Sequence, residues 1–260
     1  MAHEHPHAST PDPVPRVTGD RVGVVIGSSF ESNPFAVLEA IELDVTGGDG
    51  QRRSVVLDDC GDFLVLLRHG RAGTVPAHLV DHHAHVRALC AAGCSRVLAI
   101  GSGGGLRADL GPGCVVAPDD FLAFTTYPTF HTTTAGYAMP GFDLTWRRRV
   151  VDTWRASSPT PIVDGGTYAM VRGPRFETRA EIRLLAHYAD IVGMTIAAEC
   201  ILAREAGLTY AAICRIDNLA NGVAGHDLAV EEYRENARAF ADGFAAGIRA
   251  TLDRLAKPAA

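Results

Sequence analysis

Six stretches of this chain gather hydroxyls, guanidinium groups, carboxylates and glycines at the ends of apolar runs. Val25-Ile26-Gly27-Ser28-Ser29 leads an apolar strand into a small-residue turn, where backbone N–H groups and the Ser28 hydroxyl can hold an anion without a full positive charge. Leu67-Arg68-His69-Gly70-Arg71 follows a second apolar run, and there Arg68 offers a planar fork for phosphate oxygens with His69 as a further donor. A plain tight turn and a solvated strand end are the structural alternatives for these two. Ile100-Gly101-Ser102-Gly103-Gly104-Gly105-Leu106 reads as a glycine loop that admits positive φ and close approach of backbone to a ligand. It departs from the dinucleotide-binding pattern, because Leu106 stands where the third glycine belongs, and a nicotinamide dehydrogenase is disfavoured. In Gly173-Pro174-Arg175-Phe176-Glu177-Thr178, Phe176 can stack on a base while Glu177 accepts from its N–H edge; alternatively Glu177 and Thr178 only open a helix. Gly193-Met194-Thr195, with Glu199 shortly after, and Arg215-Ile216-Asp217-Asn218 complete the set.

These clusters need a scaffold that ends strands side by side. Short β-branched runs alternate with helical periods from residue 21 onward, which predicts an α/β fold, one domain with a mixed sheet flanked by helices. Strands are expected at 21–26, 53–57, 63–67, 96–100, 114–117, 167–171, 190–193 and 208–214. The early ones lie too close together for crossover helices, so at least one hairpin is required. Helices are expected at 78–92 and 199–206, stopped by Gly93 and Gly207, and at 179–188. One long helix over 228–255 would carry Val230, Tyr233, Phe240, Phe244, Ile248 and Leu252 on one stripe, with Asp227 as its cap. The stretch 121–141, rich in Thr, Tyr, His and Pro, reads as a loop with a role at a site or subunit contact.

With 260 residues, 47% apolar and 21% charged, the chain is long enough for one large globular core. A net charge of −6 supplies no field for a nucleic-acid backbone, and apolar runs stop far short of the ~18 residues of a membrane span. Residues 1–20 read as a flexible tail ahead of a domain over 21–257. His3, His5 and His7 are taken as part of that solvated tail, and no metal is expected. The absence of a secretory pattern and the six scattered cysteines, none in a Cys-x-x-Cys pair, point to reduced thiols and a cytoplasmic location.

Taken together, Arg68-His69-Gly70-Arg71, Gly104-Gly105-Leu106, Gly166-Thr167-Tyr168, the 173–178 segment and Gly193-Met194-Thr195 resemble the trimeric purine nucleoside and methylthioadenosine phosphorylases across roughly residues 21–255. The resemblance implies a homotrimer or a dimer of trimers, no cofactor, and reversible cleavage of a purine nucleoside by phosphate, the co-substrate, to free base and sugar 1-phosphate. It places Ser28, Arg68, His69, Gly101, Ser102 and Thr195 at the phosphate, and Met194 under the sugar. Phe176 and Glu177 fall at the base pocket, Ala220 among the substrate-binding residues, and Asn218 at the purine N7 edge. It makes Asn218 and His69 the catalytic pair. Val230 falls where family members that read a ribose 5′-hydroxyl carry His and those that accept a 5′-methylthio group carry a small apolar residue.

The cleavage passes through an oxocarbenium-like state, so a phosphate held under C1′ both stabilises and captures the cation, while Asn218 bonds the leaving base as it gains charge. The chain departs from the family at Gly101-Ser102, where relatives carry Asn-Ala or Thr-Ala, at Gly73 in place of a His, and at Ala198, which replaces a proline. Glu177 with Asn218 resembles the branch that reads 6-oxopurines, and Val230 the methylthio branch; the combination resembles a methylthioinosine phosphorylase. An ordinary inosine or guanosine phosphorylase and a catalytically silent purine-binding relative are the competing expectations.

Overall fold

The computed structural model describes residues 13–30, 32–124, 128–225 and 227–255. In chain order the elements are β1 (Arg21–Ile26), β2 (Glu39–Thr46), β3 (Arg52–Asp59), β4 (Phe63–Leu67), α1 (His82–Ala91), β5 (Cys94–Gly105), β6 (Val115–Ala117) and β7 (Asp120–Ala123). They continue with α2 (Leu144–Ser157), β8 (Ile162–Asp164), β9 (Thr167–Met170), α3 (Arg179–Leu185), β10 (Ile191–Gly193), α4 (Ile196–Glu205), β11 (Thr209–Leu219), α5 (Val230–Ala239) and α6 (Ala241–Leu255). The strands join in one mixed sheet ordered β2-β3-β4-β1-β5-β10-β9-β7, with β11, β6 and β8 branching from the other edge of β5.

Alternation along the central strands sends side chains to two apolar layers. Val25, Val97, Ala99, Tyr210 and Ala212 pack with Val86 and Leu89 of α1 and Cys200 and Leu202 of α4. Val22, Val24, Ile26, Leu98, Ile100 and Ile213 pack on the opposite face with Val150 and Trp154 of α2 and Phe244 and Ile248 of α6. Trp154 is fully buried, and its indole N–H donates to the Thr160 carbonyl at 2.7 Å.

One feature of this topology makes the site. β1 pairs in parallel with β5 as far as Ile26↔Ile100, whereas β10 joins the same edge antiparallel at Val192↔Gly104 and Ile191↔Gly105. Between them that edge of β5 is open, and the C-terminal ends of β1, β4 and β10 converge on the gap. Ligands of open α/β sheets sit at such a switch in strand order.

The mixed sheet and its flanking helices agree with expectation; several details do not. The glycine run 101–105 is the second half of β5 and not a loop, paired along its length with β11. None of these glycines adopts a positive φ. They are needed for close approach instead: a Cβ on Gly103 would lie 2.8 Å from the Val192 carbonyl oxygen. β11 likewise runs past Cys214 to Leu219, so Arg215 to Asn218 are strand residues. β2 was not anticipated, because Glu39, Glu42 and Asp44 give an edge strand a polar look. α2 was not anticipated either, and of the loop expected over 121–141 the first three residues belong to β7; among the described residues the rest is irregular apart from a 3-10 turn at Thr134–Gly136.

The expected helix over 78–92 starts later, at His82, because Asp81 accepts from Ala84 N at 3.0 Å and caps it there. The long C-terminal helix is two, broken at Phe240, and α5 starts at Val230 with Ala229 as an N-cap residue that offers no side-chain cap. Asp227, expected there, pairs with Arg179 instead. Residues 1–12, with the histidines of the expected tail, lie outside the described residues. Residues 13–20 are held: Arg87 donates to the Pro13 carbonyl at 2.8 Å and Val14 and Val17 pack on the core.

Candidate active site

A cavity of about 680 Å³ occupies the open edge of β5. At its inner end β1 stops at Ile26, and the turn that follows carries Ser28, whose Oγ lies 2.7 Å from Ser102 Oγ. Gly27 is glycine because any Cβ there would collide with the Arg68 guanidinium. Arg68, immediately after β4, is 2% exposed. It donates from Nε and Nη2 to the Glu199 carboxylate at 2.5 and 2.9 Å, and from Nη1 to the Ile100 carbonyl at 3.1 Å. Tyr210 donates to the same carboxylate at 2.8 Å. Burial alone would raise the Glu199 pKa; Arg68 outweighs it and holds the carboxyl below its usual range. A buried bidentate pair of this kind fixes the plane of the guanidinium and leaves its remaining N–H groups for the cavity.

Thr195 is the N-cap residue of α4, yet its hydroxyl makes no cap hydrogen bond and is left for a ligand, whereas the Thr195 and Ala198 N–H groups donate to Tyr168 Oη and Met170 Sδ, each at 3.3 Å. His69 lies across from it on the cavity wall. Its Nδ1 is 2.8 Å from the Val75 carbonyl, which fixes the tautomer with Nε2 available to a ligand. Burial, reinforced by Arg68, lowers its pKa and favours the neutral ring.

At the outer end, the 171–178 segment after β9 presents Phe176 and Glu177. The helix-opening role belongs to Thr178, which forms a reciprocal capping box with Glu181 on α3. Arg175 is also committed to Glu181, at 2.8 Å. Glu177 is thus left buried without a cation of its own, and burial raises its pKa above the usual carboxylate value. Asn221 donates to the Glu177 carbonyl at 3.2 Å and steadies its backbone. Asn218 uses one amide N–H on the Leu219 carbonyl at 2.8 Å and keeps the other. Tyr233 of α5 meets Phe176 edge-on at 5.8 Å and closes the mouth.

Ten of the twelve residues expected from sequence line this cavity: Ser28, Arg68, His69, Ser102, Phe176, Glu177, Met194, Thr195, Asn218 and Ala220. Gly101 does not. It sits behind the floor, where its carbonyl accepts from Ser29 Oγ at 3.1 Å. Val230 does not either; it is 40% exposed at the start of α5, and Leu228, two residues earlier, lines the wall in its place. Sequence reading also missed the grip of Glu199 on Arg68. The signal was a lone carboxylate in the apolar run of α4, a position where an unpaired charge is not tolerated.

Behind the Arg68–Glu199 pair stand His82 and His85 of α1, with His82 Nδ1 3.7 Å from Glu199 Oε1. Burial lowers the His82 pKa to about 3 and that of His85 to about 4, from 6.5. The unfolded chain therefore binds these protons first as pH falls below ~6.5, and stability present above that pH is lost progressively toward pH ~4. We expect the melting temperature to drop across this window, with each imidazole contributing on the order of a few kcal/mol. His85→Gln should flatten the pH dependence measured by thermal unfolding; an identical slope in the variant would show that His85 does not titrate this way.

Among the described residues no group of three or more His, Cys, Asp or Glu side chains is placed to hold a metal ion, and no helix is long and apolar enough to cross a membrane. The six cysteines are unpaired.

Comparison with known proteins agrees with this geometry. The chain is 37% identical over 181 residues, 68% of its length and 74% of the relative's, to a probable 6-oxopurine nucleoside phosphorylase of Archaeoglobus fulgidus. It is 30% identical over 221 residues, 82% of its length and 84% of the relative's, to a probable S-methyl-5′-thioinosine phosphorylase of Methanocaldococcus jannaschii. The structure of methylthioadenosine phosphorylase from Schistosoma mansoni with adenine superposes with a TM-score of 0.76 at 27% identity, covering 91% of this chain and 92% of that one. A profile of the phosphorylase superfamily spans residues 21–253, the whole scaffold that frames the cavity, and the chain belongs to that superfamily.

Proposed function

We propose that the protein cleaves the N-glycosidic bond of a 6-oxopurine nucleoside bearing a 5′-methylthio group, with phosphate as nucleophile, giving free base and 5-methylthioribose 1-phosphate. The observation that carries this reading is the polarity of the cavity. One cavity is lined both by Arg68, Ser28, Ser102 and Thr195, of which Ser28 and Ser102 touch at 2.7 Å, and by Glu177 and Asn218, together with Met194. Hydrolysis by water would have no use for the first group. Phosphate bound there approaches C1′ as the bond to the base lengthens, and the Asn218 amide meets the charge that collects on the leaving purine. The reaction as proposed calls on no metal or organic cofactor.

The preference for a 5′-methylthio group now rests on Leu228 rather than Val230. A 5′-hydroxyl against an isobutyl group loses water without gaining a partner, whereas a methylthio group gains apolar burial. Tyr233, whose hydroxyl could serve a ribose 5′-hydroxyl, is the observation that favours the second reading, an ordinary inosine phosphorylase. Incubation with methylthioinosine, methylthioadenosine, inosine and adenosine, with and without phosphate, decides by release of free base. We expect phosphate dependence throughout and methylthioinosine to lead inosine by about tenfold in kcat/KM. Leu228→His should shift that ratio toward inosine and Val230→His should leave it unchanged; the reverse pattern would return the assignment to Val230.

A homotrimer, or a dimer of trimers, is part of the proposal. Phe124, Leu79, Tyr137 and Met139 are between 63% and 88% exposed, large apolar side chains that a subunit contact would cover. Sedimentation equilibrium tests it. The unpaired thiols fit a reducing, cytoplasmic setting.

A further inference from the structure

A threonine at the N-cap position ordinarily turns its hydroxyl onto the backbone N–H of the second or third residue of its helix. In α4 the third residue is Ala198, and its N–H donates instead to the Met170 thioether at 3.3 Å. Thr195 makes no cap hydrogen bond, and it lines the cavity. Its own N–H donates to the Tyr168 hydroxyl oxygen at 3.3 Å, and its backbone stands at φ −139° and ψ −33°, away from the extended conformation usual for an N-cap residue.

Both acceptors come from β9. Tyr168 and Met170 are two residues apart, so they share one face of the strand, and both belong to the apolar layer that includes α4. β9 runs parallel to β10 with Met170 opposite Gly193, two residues before Thr195. A Cβ on Gly193 would collide with the Tyr168 hydroxyl, so glycine there lets the phenol reach the turn. Ala198 is 3% exposed, and its N–H needs a partner from the protein. Without the thioether, the Thr195 hydroxyl is the group that an N-cap position offers it. Capping would not consume the hydroxyl's proton but would fix its place, over the first turn of α4 and on an extended backbone.

We propose, on the reading of the Arg68 end as the phosphate site, that Met170 caps α4 from the neighbouring strand in place of Thr195 and so leaves the Thr195 hydroxyl free to donate to phosphate. Met170 is a positioning residue, and Thr195 makes the contact. Tyr168 assists by holding the Thr195 backbone out of the capping conformation.

Initial rates against phosphate at saturating nucleoside test this, with methylthioinosine or, if it is the better substrate, inosine. Met170→Leu removes the acceptor at similar volume. The orphaned Ala198 N–H then recruits the Thr195 hydroxyl, so the phosphate KM should rise about fivefold while the nucleoside KM stays fixed. Ala198→Pro removes the N–H itself, and proline is tolerated in the first turn of a helix. Added to Met170→Leu, it should return the phosphate KM to the value of the unaltered protein, a recovery that lost packing at Met170 could not produce. If the proline variant does not fold, a cycle with Thr195→Val decides, because Met170→Leu should have no effect on the phosphate KM once the hydroxyl is gone. An unchanged phosphate KM in Met170→Leu overturns the proposal, as does a rise that persists with Ala198→Pro or in the Thr195→Val background. If Thr195→Val by itself leaves the phosphate KM unchanged, Thr195 is not at the phosphate, and the placement of the anion falls together with the proposal.

Discussion

Arg68→Ala is expected to raise the phosphate KM and to lower phosphorolysis by about two orders of magnitude or more. The guanidinium is held on three sides of its fork, by two bonds to Glu199 and one to the Ile100 carbonyl, so its remaining N–H groups are aimed before any ligand arrives. Such preorganisation lets a donor contribute fully to binding a dianion. Truncation has a second effect, because Glu199 is 3% exposed and would be left as a buried carboxylate with Tyr210 as its remaining strong partner. Breaking a buried pair from one side costs on the order of 3–5 kcal/mol, so the melting temperature should fall as well. The two effects separate in the double variant Arg68→Ala with Glu199→Gln. Neutralising the orphaned carboxylate should recover stability while the phosphate KM stays high, as read from initial rates against phosphate alongside thermal unfolding. Recovery of both together would mean that Arg68 only holds Glu199 and α4 in place.

Strand-end chemistry was legible in the chain because it depends on residue type and neighbourhood. Ser28, Arg68, Thr195 and Asn218 each follow or end an apolar run, and the sheet carries each to the cavity. Legibility failed where a side chain's partner is distant in sequence. Glu199 and Arg68 are 131 residues apart, and nothing in either segment announces the other. It failed again where pairing overrode local preference: five residues with four glycines form a strand because β11 and β10 flank them, whereas glycine by itself favours a turn. Leu228 was missed for a geometric reason. A stripe of apolar residues from 228 to 255 reads as one helix, but the break at Phe240 and the start at Val230 leave Leu228 on the connecting segment, where it reaches the cavity.

Methylthioinosine is expected to exceed methylthioadenosine by roughly 5- to 150-fold in kcat/KM, and Glu177 is expected to account for it. As a carboxylate it accepts from the N1–H of a 6-oxopurine. Against adenine it meets the N1 lone pair, an unmatched contact worth ~1–3 kcal/mol in a site that excludes water. Thr178 and Glu181 cap α3 by themselves, so Glu177→Gln should leave the melting temperature unchanged. Its amide can donate to N1 of adenine, and the substrate ratio should fall toward one. Acid acts in the same sense. Burial raises the Glu177 pKa from 4.5, so the carboxyl takes up its proton at a higher pH than an exposed glutamate would, and the protonated form donates where the carboxylate could not. The preference for the 6-oxo base should therefore be full near pH 8 and narrow as pH falls through the raised pKa, in the unaltered protein and not in Glu177→Gln. Competition between the two nucleosides at a series of pH values reads this directly. Equal cleavage of both at pH 8, or a pH dependence that persists in the glutamine variant, would place another group at the N1 edge.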